Sequence, residues 1–498
     1  MPAEKSAQRQ FSSGRRLAFV SLLFVICAFC CVPFADIAIA QSEPGRELLR
    51  MLQGLFSPHW QDIGGLLSAL GSTVAFALLA VALAAVLGLG LAFLFHWRLV
   101  RIFAASTRAV HEIFWGLIFM QIYGLSATTG LLAILIPYIG IFTKVYAEII
   151  QQQSRIPAST LSPQTPLLSR YLYTLLPQSW AQIQSYTRYR FECALRSSAI
   201  LGFIGLPTLG FHLETAFKQG DYSEAAALLL IFYMLIASIK YWLKVRLIPV
   251  YLIVAVFLLP DSPAMGGSYF WQFISQDIWP RAVLEGQWGD ALNWYQKQFM
   301  QLALPGIGQT LLLTQLALVL TGLLTLLFYP WGSRLLVGKK LRLGGAGFLL
   351  VMRSTPEMML AFILLLVFGP SGLPAVIALA VHNAGLIAYL IARYSEVLTL
   401  PPDAPRGFNR YFYNITPRIY PQFLALLFYR WEVILRESAI MGILGISTLG
   451  FYIDSAFEDM HFDKAFFLIV ITALLNVLVD MLSRRIRQYC QLQEQQPG

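Results

Sequence analysis

The chain has 498 residues, of which 57% are hydrophobic and only 12% charged, with 36 Lys and Arg against 26 Asp and Glu. A soluble domain carries about 25% charged residues, so this composition excludes an ordinary soluble enzyme and defines a polytopic membrane protein. The formal charge of +10 calls for no nucleic acid, because membrane topology accounts for it.

About 20 apolar residues cross a bilayer. On that measure spans are predicted near 17–40, 66–96, 112–125, 129–149, 192–214 and 224–243, and again near 247–260, 302–329, 346–368, 373–395, 432–453 and 465–483. Six plus six gives about twelve transmembrane helices, an all-α fold. Gly and Pro interrupt several of them, and those holding Pro207 and Gly445 are not expected to cross as straight helices. Arg15 and Arg16 precede the first apolar run, and Ala38-Ile39-Ala40 follows it in the manner of a cleavage site. An uncut anchor is expected, because the counterpart Leu247–Pro260 is internal.

With both termini cytoplasmic, most Lys and Arg fall in cytoplasmic segments, as the positive-inside bias requires. Cys27, Cys30, Cys31, Cys193 and Cys490 imply no disulfide framework.

Tyr189–Phe211 and Tyr429–Phe451 lie 240 residues apart and match at 14 of 23 positions, so the chain is a duplication. The repeats are read as 1–246 and 247–498. Arg108 and Glu112 pair with Arg353 and Glu357, Gly140 with Gly385, and Tyr171, Tyr173 and Pro177 with Tyr411, Tyr413 and Pro417. The cytoplasmic loops, about 151–188 and 399–430, each hold Pro and Ser, then Tyr-x-Tyr, then Pro. Each suits a short helix on the membrane face, begun after Pro157 or Pro402 and ended before Pro177 or Pro417, or an ordinary connection.

Glu192 with Arg196 and Glu432 with Arg436 are i,i+4 pairs in the favourable order. They either neutralise themselves at the interface or, with Arg190 and Arg430, line the inner mouth of an anion path, because ionisable groups at membrane depth are costly unless paired or facing water. Arg108 with Glu112 and Arg353 with Glu357 have the reverse order and suit interfacial turns. His212 and His382 have no ligand partners at metal spacing along the chain, and no metal site is expected. No GxxxxGK[ST] phosphate loop, HExxH or GxSxG occurs, so the chain is not expected to be an enzyme or to hydrolyse ATP by itself. Residues 261–301, with Trp271, Trp279, Trp288 and Trp294, suit an amphipathic segment on the opposite face.

Both halves resemble permease subunits of ABC importers, of the phosphonate type. The features are Phe56–Trp60 (FSPHW), the RxxxE turn before an apolar span, the loop end Leu175–Gln178 (LLPQ), and YRFExxxRSSxxLGxxG from Tyr189 to Gly205. The resemblance implies two tandem six-helix type I permease repeats in the inner membrane. Partners would be ABC ATPase subunits in two copies, which bind the ATP, and a periplasmic solute-binding protein; the chain itself would carry no cofactor. Its solute would be an oxyanion such as phosphonate, phosphate or phosphite, the alternatives being another small solute or an ion-coupled secondary transporter.

On this resemblance Tyr171, Tyr173, Pro177, Tyr411, Tyr413 and Pro417 belong to ATPase coupling, with Tyr171 and Tyr411 as the aromatic knobs. Arg190, Glu192, Arg196, Gly205, Gly210, Arg430, Glu432, Arg436, Gly445 and Gly450 belong to the pathway or gate. The chain departs from the family pattern at the coupling motif, where Ala158, Ser159 and Thr160 replace Glu-Ala-Ala, Gln164 and Ala404 replace Gly, and Thr416-Pro417 replaces Leu-Pro. It departs again at Gly205–Gly210 and Gly445–Gly450, where larger residues stand in a GAGGIG pattern.

Overall fold

The computed structural model describes residues 2–59, 63–154, 156–162, 164–260 and 267–492, and every regular element among them is helical. Trp60 of the FSPHW stretch and residues 261–266 lie outside the described residues, as do the side chains of Ala158 and Ser159. Among the described residues seven helices are long and apolar enough to cross a membrane, or ten when each bent pair counts as one span. Two shorter apolar helices, Glu112–Tyr123 and Val245–Leu258, cover the remaining expected spans.

The chain forms two compact units, Leu49–Asp277 and Met1–Leu48 with Ile278–Pro497. In the former, Ile63–Phe93 and Ala127–Gln151 make the central helix pair, and Ile248–Leu258 packs on Ile63–Phe93. In the latter, Leu304–Gly332 and Gly372–Ser395 are the central pair, and the helix Gly14–Phe34 packs on Leu304–Gly332. There Gln315 Nε2 donates to the Phe24 carbonyl at 2.9 Å. Each unit thus holds the first span of the other sequence repeat. Small residues permit the close helix approach on which packing in lipid depends: a Cβ on Gly140 would lie 2.8 Å from the Ala104 carbonyl oxygen, and one on the paired Gly385 would lie 2.9 Å from the Arg353 amide nitrogen.

Three expectations from the sequence are corrected. The span 346–368 is two helices, Lys339–Ser354 and Glu357–Phe368, bent by 93°. Pro356 suits the turn, having no N–H to continue the first helix and standing just before the second. The other unit has a like break without a proline, where Arg98–Ala109 is followed by Glu112–Tyr123. Nor does Pro177 or Pro417 end a helix. Each sits in the first turn of a long one, Leu176–Ile200 or Thr416–Ile440, where proline fits. The wide turns Tyr171–Leu175 and Arg410–Ile415 run directly into them. Finally, Trp288–Gln298 is no separate surface helix, because it continues into the span as the 45-residue helix Trp288–Gly332.

Candidate functional site

The repeated motif builds the same broken span in both units. Leu176–Ile200 passes into the tight turn Leu201–Ile204, and the chain breaks at Gly205 before resuming as Leu209–Gln219, with a bend of 51°. Thr416–Ile440, Met441–Leu444, Gly445 and Leu449–Glu458 repeat this with a bend of 44°. Gly205 has φ +90° and Gly445 φ +84°, a left-handed cap that side chains with a Cβ resist. The bends anticipated at Pro207 and Gly445 are therefore present.

A bend in a span frees backbone groups that lipid cannot satisfy, and threonines supply the partners. The Leu209 N–H donates to Thr73 Oγ1 at 2.9 Å, and Ser198 Oγ donates to the Thr73 carbonyl at 2.8 Å. In the other unit the Leu449 N–H donates to Thr310 Oγ1 at 3.1 Å. Thr448 Oγ1 donates to the Ala439 carbonyl at 2.9 Å. Sequence reading missed Thr73 and Thr310. The available signal was Gly-x-Thr, at Gly71–Thr73 and Gly308–Thr310 in the two halves.

Beside each bend lies a cluster of polar groups. In the unit Leu49–Asp277, the Arg190 guanidinium lies 4.4 Å from the Tyr138 ring centre, a cation–π contact. Ser197 Oγ reaches both Tyr138 Oη at 3.5 Å and Glu112 Oε1 at 3.4 Å. His111 Nδ1 accepts the Ile113 N–H at 3.3 Å, so Nε2 carries the proton and faces Glu112 Oε2 at 3.3 Å. The other unit keeps the plan and changes the groups. Arg430 Nε donates to Asn383 Oδ1 at 2.9 Å, and Asn383 Nδ2 donates to Glu437 Oε2 at 2.8 Å. His382 Nδ1 lies 2.8 Å from the Thr355 carbonyl and Nε2 lies 3.8 Å from Glu357 Oε2. Glu357, His382, Asn383 and Glu437 are all buried. Linear spacing gave His382 no ligand partners. The fold supplies two: one ligand atom each from Glu357, His382 and Glu437 lie within 4.8 Å of one another.

Arg196 and Arg436 are half-buried on the same long helices as Glu192 and Glu432, and Arg196 Nη2 lies 3.2 Å from Cys193 Sγ. Gly210 and Gly450 are buried in the first turns of the resumed helices.

The coupling loops divide their tyrosines. Tyr171 is buried edge-on against Phe93, with ring centres 5.0 Å apart, and its hydroxyl has no hydrogen-bond partner among the described residues. Tyr411 stacks on Tyr329 at 5.6 Å and donates to the Leu326 carbonyl at 2.9 Å. These two therefore anchor their loops inward and are not outward knobs. The second tyrosine of each Tyr-x-Tyr points out, Tyr173 being 79% exposed and Tyr413 80%; at two residues' separation on a helical turn, one side chain cannot share the other's face. Pro177 and Pro417 are exposed. Around Tyr413 an open depression is lined by Thr399, Leu400, Pro401, Asn414 and Arg418. Arg410 braces the same loop, donating to the Pro405 carbonyl at 2.7 Å and the Leu335 carbonyl at 3.0 Å.

Paired bends, paired polar clusters and paired loops describe a transport protein with two similar units. The chain is 24% identical over 475 residues to the phosphate-import permease protein PhnE of Mycolicibacterium smegmatis, a match spanning 89% of this chain and 88% of that protein. It is 27% identical over 247 residues to the phosphite transport system permease protein PtxC of Stutzerimonas stutzeri, where 46% of this chain spans 90% of that protein. A putative cryptic phosphonate transport system permease protein, PhnE2 of Escherichia coli, is 23% identical over 119 residues. No family model and no solved structure matches. The resemblance seen in the sequence is borne out: the chain is a multi-pass membrane permease of the importer type, about two permease lengths long, and a transporter component.

Proposed function

We propose that this chain forms the solute pathway of an ATP-driven importer for a phosphorus oxyanion, with both permease units on one polypeptide. The supporting observation is that one half of the chain spans nearly a whole phosphite permease, while both halves together span a phosphate-import permease. ATP is bound and hydrolysed by two partner ATPase subunits, one at each loop, and a periplasmic binding protein delivers the solute. The chain lies in the inner membrane with both termini cytoplasmic, as the placement of its Lys and Arg supports. Tyr173 and Tyr413, with the depression beside Tyr413, are the ATPase contacts, and Tyr171, Tyr411, Pro177 and Pro417 set the loop shape. Arg190, Arg196, Arg430 and Arg436 give the anion compensating charge along its path, with Glu192 and Glu432 tempering it. Glycines 205, 210, 445 and 450 shape the bends beside that path.

Phosphonate, phosphate and phosphite share a tetrahedral P–O anion, and thermal-shift screening of the binding protein against the three identifies the solute. The permease reading is tested by radiolabelled uptake and by co-purification with the ATPase. Changing Arg196, Arg436, Glu192 and Glu432 all to Gln should lower uptake at least tenfold while the ATPase still co-purifies. Normal uptake by that variant would remove the arginines from the pathway. Uptake dissipated by a protonophore but independent of the ATPase would point instead to an ion-coupled transporter.

A further inference from the structure

We propose that Glu357, His382 and Glu437 form a binding site for one first-row divalent cation, present, among the described residues, in one of the two units. The inference stands on the geometry of the cluster and is independent of the solute assignment. The three residues come from three helices, Glu357–Phe368, Gly372–Ser395 and Thr416–Ile440, and all three are buried, His382 to 1% exposure.

The imidazole is set up as a ligand. A carbonyl oxygen only accepts, so the 2.8 Å contact between His382 Nδ1 and Thr355 O places a proton on Nδ1, and in the neutral ring that a bound cation requires the Nε2 lone pair faces Glu357, 3.8 Å away. A backbone carbonyl on the far nitrogen is the usual way a metal-binding histidine is oriented. The second carboxylate is oriented too, because Asn383 holds Glu437 at 2.8 Å and Arg430 holds Asn383 at 2.9 Å. One imidazole nitrogen and two carboxylate oxygens suit Zn²⁺, Co²⁺ or Mn²⁺. Bonds of about 2.0–2.1 Å in a tetrahedron separate ligand atoms by about 3.3 Å. The three atoms, now within 4.8 Å of one another, would close by up to about 1.5 Å to reach that separation.

The other unit shows why this arrangement is distinctive. Pro137 and Ser197 stand at the positions of His382 and Glu437. Its histidine, His111, comes from another position and presents a protonated nitrogen to Glu112. In one unit the repeated glutamate meets a single histidine, and in the other it meets a histidine with a second carboxylate beside it. A cation at this site would tie three helices together next to the bend at Gly445, and so make the stiffness of that bend depend on metal.

The test uses the full chain purified in detergent, stripped with chelator and titrated with Co²⁺ and Zn²⁺. About one Co²⁺ per chain should survive gel filtration, with visible absorption of a four-coordinate nitrogen and oxygen site, and Zn²⁺ should displace it and raise the melting temperature. His382→Gln and Glu437→Ser should each abolish the absorption, and Asn383→Ala, which loosens Glu437, should weaken binding about 10–100-fold. His111→Asn should leave stoichiometry unchanged. A folded wild-type chain that holds no stoichiometric cation overturns the proposal; it would mean that His382 is an imidazolium paired with the carboxylates. Saturable binding equal in wild type and in folded His382→Gln or Glu437→Gln overturns it as well, by placing the ion elsewhere.

Discussion

The bend after Met441–Leu444 offers two glycines whose replacement by alanine costs energy for different reasons. At Gly445 a Cβ would meet nothing within 4 Å, and only φ +84° opposes it. A left-handed conformation costs an ordinary residue about 1–2 kcal/mol. The loss of unfolded-state freedom returns about 0.4–1 kcal/mol, leaving a net penalty near 1 kcal/mol. At Gly442 a Cβ would press into backbone, with Phe451 Cα at 2.8 Å, and no side chain is there to swing aside. Overpacking costs about 1–3 kcal/mol. Relief requires Leu449–Glu458 to move off, which detaches the Leu449 N–H from Thr310 Oγ1 and adds about 1–3 kcal/mol for an unsatisfied buried donor. Gly442→Ala should therefore cost about 2–6 kcal/mol against about 1 kcal/mol for Gly445→Ala. Thermal unfolding in detergent should show a shift of a few degrees for Gly445→Ala and at least twice that for Gly442→Ala. Uptake normalised to membrane content should fall less than threefold in the first and more than tenfold in the second. Equal melting temperatures for the two variants, or normal uptake by Gly442→Ala, would refute the account of the bend.

Thr310→Val keeps the shape of the side chain but leaves the Leu449 N–H unpaired, so it should lower stability by about 1–3 kcal/mol; Thr73→Val should do the same at Leu209, and unfolding in detergent reads both. Tyr411→Phe loses the bond to the Leu326 carbonyl and should cost about 0.5–1.5 kcal/mol, whereas Tyr171→Phe, whose hydroxyl makes no such bond among the described residues, should be neutral or slightly stabilising. Tyr173→Ala and Tyr413→Ala, both at exposed positions, should leave the melting temperature within about a degree and lower ATPase recovery in pull-downs. The Tyr413 variant should lose more, because its loop is braced by Arg410 and bears the depression, and equal recovery from both would show that the loops engage alike.

Features under the control of local chemistry and periodicity were legible in the amino-acid order. Apolar length set where helices run, Gly205 and Gly445 marked where the repeated span breaks, and the 240-residue match revealed the duplication. That order did not decide helix continuity at proline. The same residue type turns the chain at Pro356 and starts a long helix at Pro177, since the outcome depends on which backbone acceptor the missing N–H would have faced. Nor could it decide which tyrosine of each Tyr-x-Tyr faces inward, because that depends on Phe93 and on Tyr329 and Leu326, far away in the chain. The first spans were legible as helices, but their partners were not, since apolar surface in lipid is unselective and polar anchors such as Gln315 on Phe24 choose the neighbour. The cluster of Glu357, His382 and Glu437 is the clearest case. No residue stands out in its own segment, and only the packing of three helices brings one imidazole and two carboxylates together.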